Sequence, residues 1–313
     1  MNAKLTETPL RHFLDLLDWD ADRIEDLLKD AAKLKKAHAR GKNRPILQGQ
    51  VLGMMFEKPS LRTRVSFQSA MVHLGGGSVF LTQHEVGMGT RESLPDCARV
   101  LSELCDVLVL RTFHHDTVVE VAKWATVPVI NGLSDYYHPC QALGDLLTMR
   151  ECFGDLAGLN VAFVGDGNNV ARSLAIGCGK LGLKFTLCCP EGYSFDKPFL
   201  DTYHATCSGT LVETHDPVLA VADADVVYTD VWASMGQEDE AAKRKKTFRP
   251  YQVNAELLER APKECKVMHC LPAHRDEEIT DDVMEGPASV VFQQAGNRLH
   301  AQKALLKWIL TDG

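Results

Sequence analysis

Short apolar runs separated by helix-length stretches constrain this chain more than any other feature. Val51–Phe56 and the runs at 79–82, 107–111 and 127–131 read as strands. Between them, 60–74, 93–105 and 116–125 carry apolar residues at helical spacing. After a glycine-flanked junction at 154–158 the pattern resumes, with strands at 160–164, 185–189, 226–228 and 267–270. Such alternation predicts parallel sheets covered by helices on both faces. Two outer helices complete the outline, one at 20–40 with Asp20 as its cap, the other at 294–310. With 313 residues, 45% of them hydrophobic, the chain can bury two cores. The expected fold class is therefore α/β, in two domains that are each a mostly parallel sheet flanked by helices.

Charge and composition remove several classes. A net charge of -8 argues against a nucleic-acid surface, and no apolar run approaches membrane-spanning length. The first residues are polar and lack a signal-peptide core. Ten cysteines include no C-x-x-C pair, which suits a reduced, cytoplasmic enzyme or binding protein. His269, Cys270 and His274 lack the paired spacing of a zinc site, so no metal is expected. Gly165-Asp-Gly-Asn-Asn-Val170 approaches a dinucleotide turn, but the next strand ends Cys188-Cys189-Pro190-Glu191. Proline displaces the acid a ribose needs, so no cofactor is expected. Asn168 and Asn169 could hold a polar substrate instead.

Chemistry concentrates where strands give way to helices. Ser60 is placed to cap the helix after the first strand, with Arg62, Thr63 and Arg64 in its first turn. Free N–H groups, the helix dipole, hydroxyls and guanidinium groups together suit phosphate. A plain capped helix with solvated arginines fits the same residues. Arg111 and Asn131 end neighbouring strands, where ligands of parallel sheets gather. Pro139 opens a further helix with an apolar stripe at Leu143, Leu146 and Leu147. His138 and Gln141, at its start, suit a carbonyl or a planar amide, although such a histidine is often only structural. Asp230 and Ser234, after a strand and before Gly236, suit an amino acid. The segment 237–246 reverses its charge and reads as a solvated loop with room for a lid role.

Five stretches together resemble the transcarbamoylases, and within them the ornithine carbamoyltransferases. They are Ser60-Leu-Arg-Thr-Arg64, His138-Pro-Cys-Gln141, Asp230-Val-Trp-Ala-Ser-Met-Gly236, His269-Cys-Leu-Pro272 and Asn297-Arg298. The likeness runs from about residue 50 to the end. It implies a carbamoyl phosphate domain at 1–152, onto which 294–313 packs back, and an ornithine domain at 153–293, with the active site in the interdomain cleft. It further implies a homotrimer or multiples of it, with small-molecule substrates and neither nucleic acid nor membrane as partner. Carried over, Ser60, Leu61, Arg62, Thr63, Arg111, His138, Gln141, Cys270, Leu271 and Arg298 would bind carbamoyl phosphate. Asn169, Asp230, Ser234 and Met235 would bind ornithine, and Arg62, Arg111, His138 and Cys270 would be catalytic. The product would be citrulline, on the route to arginine. Leu61 replaces a usual threonine, Gly296 a common glutamate, and Gly87 a side chain whose role Arg91 could take.

Overall fold

The computed structural model describes residues 10–233 and 238–311. They form two compact units: 10–15, 29–137 and 302–311 in the first, 16–28, 138–233 and 238–301 in the second. Helix α1 (Ala21–Ala39) passes from the second into the first.

The first unit continues with β1 (Val51–Phe56), α2 (Leu61–Leu74), β2 (Gly77–Thr82), α3 (Gln83–Val86) and α4 (Leu94–Leu104). It then runs through β3 (Val107–Arg111), α5 (His115–Trp124) and β4 (Val129–Leu133). Its sheet is parallel, in the order β2-β1-β3-β4. The central strands β1 and β3 are almost wholly buried, which is why they are unbroken apolar runs rather than alternating ones. β4 begins two residues later than the sequence suggests, because Pro128 has no N–H to enter the ladder. Gly75, at φ 86, closes α2 in the left-handed conformation that favours glycine.

The second unit holds α6 (Pro139–Phe153), β5 (Asn160–Val164), α7 (Asn169–Lys180), β6 (Lys184–Cys188) and α8 (Lys197–Thr206). It goes on to β7 (Leu211–Thr214), α9 (Pro217–Val221), β8 (Val226–Thr229), α10 (Ala241–Phe248), α11 (Ala255–Leu258) and β9 (Lys266–His269). Helices α12 (Asp281–Met284) and α13 (Val291–Thr311) follow, and α13 ends in the first unit. The sheet is again parallel, in the order β7-β6-β5-β8-β9. Helix α8 and strand β7 have no counterpart in the sequence reading: β7 is a four-residue edge strand, half open to solvent, without an apolar run.

Two elements differ in character from their sequence reading. Helix α6 is buried all round from 139 to 149, not along one stripe. It packs with the second unit, where His138 N donates to Ser173 Oγ at 2.7 Å. Of the charged stretch read as a solvated loop, residues 238–246 fold into a 3-10 turn and α10, and Gln237 lies outside the described residues. Arg244 explains this: it is buried, donates to Asp166 at 2.7 Å and to the Trp232 carbonyl at 3.1 Å, and lies over the Tyr193 ring.

Candidate active site

In the first unit, β1 delivers the chain to the start of α2. Ser60 is extended, at φ -157, and its Oγ accepts from Thr63 N at 3.2 Å. That cap orders the first turn, with Thr63 buried, Arg62 half-buried and Leu61 74% exposed. The Leu61 side chain therefore stands largely in solvent. Arg64 departs from the anion-site reading: its guanidinium stacks 3.7 Å from the centre of the Phe80 ring. Arg111 is buried at the end of β3, paired with Phe56, four residues before Ser60. Asn131 has a structural role, donating to the Leu14 carbonyl at 2.9 Å. Arg91 turns back on its own loop and donates to the carbonyls of Glu85 and Val86. Gly87 sits at φ +65, and a Cβ there would stand 2.7 Å from Arg91 Cβ, so this tight turn leaves no room for a side chain.

In the second unit, His138 precedes Pro139 at the start of α6, and both His138 and Gln141 are buried. Gln141 Nε2 donates to Asp145 Oδ1 at 2.8 Å, one helical turn on. Burial pushes the Asp145 carboxyl up to about 7, against the pull of donors from Gln294, Gln141 and Tyr228. Arg298 is buried on α13, and Gly144 lets α6 approach it: a Cβ at 144 would stand 3.0 Å from Arg298 Cγ. Asn297 secures that helix by donating to Thr148 Oγ1 at 2.9 Å and Glu151 Oε2 at 2.8 Å. A Cβ at Gly296 would meet nothing within 4 Å, so the missing glutamate leaves this packing intact.

Asp230 follows β8 and is 6% exposed. Its Oδ2 accepts from Asn168 Nδ2 at 2.9 Å, and its Oδ1 from Val231 N at 2.8 Å and Cys270 Sγ at 2.9 Å. Asn168 also caps α7, its Oδ1 accepting from Val170 N and Ala171 N. Asn169 is half-buried in the first turn of that helix. Asn168, read from the sequence as a holder of polar substrate, instead caps α7 and fixes Asp230. Leu271 adopts φ 59, a strained value for a branched residue, and its N donates to His269 Nδ1 at 2.8 Å. His269 Nε2 in turn donates to Glu278 Oε1 at 3.1 Å. Ligand atoms of Asp230, His269 and Cys270 lie within 4.8 Å of one another, but both His269 nitrogens are engaged, which favours a hydrogen-bonded set over a metal site. Gly167 serves an internal contact, since a Cβ there would stand 2.9 Å from the Tyr193 carbonyl. Ser234 and Met235 lie outside the described residues.

Two parallel α/β units, one with a serine-capped helix start that carries Arg62 and the other with a buried carboxylate beside a thiol, make a two-domain α/β protein. Residues 11–151 match the carbamoyl-P binding domain, and 157–309 the Asp/Orn binding domain, of aspartate/ornithine carbamoyltransferase; the chain belongs to that family. It is 49% identical over 314 residues to the ornithine carbamoyltransferase of Bacillus subtilis, covering 99% of this chain and 97% of the relative. A Pyrococcus furiosus relative named as the anabolic ornithine carbamoyltransferase is 50% identical, covering 96% of each chain. Among solved structures, an ornithine carbamoyltransferase from Pyrococcus furiosus superposes with a TM-score of 0.93 at 50% identity, covering 96% of this chain and 97% of that one. One from Thermus thermophilus gives 0.88 at 44% identity, covering 97% and 100%.

Proposed function

We propose that the chain transfers the carbamoyl group of carbamoyl phosphate to the δ-amine of L-ornithine, giving L-citrulline and phosphate. One observation carries the choice of amine: Asp230 is a buried carboxylate whose three donors among the described residues, an amide, a backbone N–H and a thiol, are all neutral. A buried charge without a cation is costly, and a substrate ammonium removes that cost. Ornithine keeps its α-ammonium while its neutral δ-amine attacks; aspartate's single amine is the attacking group, so it has no ammonium to spare.

In this reading 1–152 binds carbamoyl phosphate and 153–293 binds ornithine. Ser60, Arg62, Thr63, the Leu61 N–H and Arg111 hold the phosphate, and Arg62 and Arg111 take up the charge that develops as it leaves. Arg111, Thr63 and His138 polarise the carbonyl, while Gln141, Cys270, Leu271 and Arg298 meet the carbamoyl amide. Asn169, Asp230, Ser234 and Met235 hold ornithine. The δ-amine attacks the carbonyl carbon, a tetrahedral intermediate forms, and its collapse expels phosphate. The attacking amine must be neutral, so the rate rises with pH until that amine is deprotonated.

We also place the enzyme in the cytoplasm, as a homotrimer or a multiple of one. Ten free cysteines accord with the first, and among the described residues no helix is long and apolar enough to cross a membrane. Val65 and Val72 on α2, with Val79 on the edge strand β2, form exposed apolar surface that favours the second. Citrulline formation measured side by side with ornithine, aspartate, putrescine and N-acetylornithine tests the substrate. Ornithine should lead, and preference for any other amine overturns the reading.

A further inference from the structure

Helix α6 buries an acid that no step of the transfer uses. Asp145 is 0% exposed. Its Oδ1 accepts from Gln141 Nε2 at 2.8 Å and from Gln294 Nε2 at 2.7 Å, and its Oδ2 accepts from Tyr228 Oη at 3.2 Å. Gln294 Nε2 also lies 3.1 Å from Tyr228 Oη, and Gln294 Oε1 accepts from His269 N at 2.9 Å, one residue before Cys270. The fourth side chain, Gln141, keeps a buried Oε1 with no hydrogen-bond partner among the described residues.

A primary amide can face either way, and its neighbours decide which atom donates. An oxygen that accepts from two amides selects Nε2 of Gln141 and leaves Oε1 as the face available to a ligand. An acceptor is what the NH2 of a carbamoyl group needs; a flipped amide would set donor against donor. We propose that Asp145 is a positioning residue for Gln141, locking its amide with the carbonyl oxygen presented to the carbamoyl nitrogen. The proposal rests on the assignment of Gln141 to carbamoyl phosphate. Tyr228 and Gln294 hold Asp145 in turn and tie it to the end of β9. A carboxyl pushed up to about 7 has its neutral form within reach, and that form keeps the same acceptor.

A double-mutant cycle on the full chain tests this, with thermal melts to confirm folding. Gln141→Ala and Asp145→Ala should each lower kcat/KM for carbamoyl phosphate by roughly 10- to 100-fold, the range expected when a buried donor is left without its acceptor. The KM for ornithine should move by no more than about threefold, because the amide does not meet the amine. In the Gln141→Ala background the Asp145 substitution should cost little more, since residues acting as a unit are not additive. Asp145→Asn, which retains an acceptor, should recover most of the loss. If Asp145→Ala fails to fold, Asp145→Ser withdraws the acceptor from Gln141 and enters the same cycle. Full multiplication of the two losses overturns the positioning role and leaves Gln141 in place. A Gln141→Ala variant with unchanged kcat/KM overturns the assignment and the proposal together.

Discussion

In the first unit the candidate anion ligands are presented by a helix start: Ser60 caps it, Thr63 follows in its first turn, and Arg111 ends a neighbouring strand. In the second unit the corresponding groups are held by other side chains, as Asn168 and Cys270 hold Asp230, and Gln294 and Tyr228 hold Asp145. The contrast follows the chemistry of the ligands. A phosphate carries charge that N–H groups and guanidinium ions satisfy from many directions, so a helix terminus suffices. An amine and a carbamoyl amide must be met by one donor or acceptor at one angle, and only a cross-bonded interior holds a side chain that firmly.

Removing charge from the first unit should have the largest effect. Arg62→Ala should lower kcat by ~10²–10³ or more, as loss of a donor to developing charge does, and near-normal citrulline production would remove Arg62 from the mechanism. Asp230→Asn comes next: the KM for ornithine should rise by about 10²-fold with carbamoyl phosphate binding little changed, measured by steady-state kinetics and calorimetry. Equal loss of both substrates would break the assignment of Asp230 to ornithine.

Cap removal sharpens the comparison. Ser60→Ala and Asn168→Ala should each cost about 1 kcal/mol of stability, read by denaturant unfolding. Ser60→Ala should also weaken carbamoyl phosphate, whereas Asn168→Ala should weaken ornithine through Asp230. Binding of both substrates left unchanged by both variants would show that the caps act on folding alone.

Asp145 predicts a smaller, pH-dependent effect. Burial raises its carboxyl from 3.8 to about 7, so between those values the folded chain holds a proton that the unfolded chain has lost. Its contribution to stability is complete below 3.8 and declines as pH rises through about 7. Asp145→Asn does not titrate, so its melting temperature relative to the unaltered protein should climb by a few degrees across that window. A difference that stays flat would remove the raised carboxyl from the account. Smallest of all, Arg91→Ala should change turnover by no more than about threefold, since Arg91 caps its own loop.

Much of this was legible in the chain itself. Local signals are short-range: Ser60 reaches only to Thr63, and Pro139 is suited to a helix start by its own ring. Apolar runs located β1, β3 and β5 at their observed bounds, because parallel strands buried on both faces have no polar alternation to blur them. The edge strand β7 lacked such a run and was missed. The all-round burial of α6 was hidden for a related reason: Gln141, Asp145 and Thr148 are polar, and a polar residue signals burial only once its partner is known.

Those partners are far away in sequence. Asp145 meets Gln294 across 149 residues, Arg244 meets Asp166 across 78, Asn168 meets Asp230 across 62, and Cys270 meets Asp230 across 40. Periodicity, caps and turns depend on neighbours within a few residues, so the sequence alone determined the alternating elements and the helix start that suits an anion. Which acid is fixed by which amide, and which charged stretch becomes an anchored helix, depends on pairs that only folding brings within 3 Å or so. That much only the tertiary structure could decide.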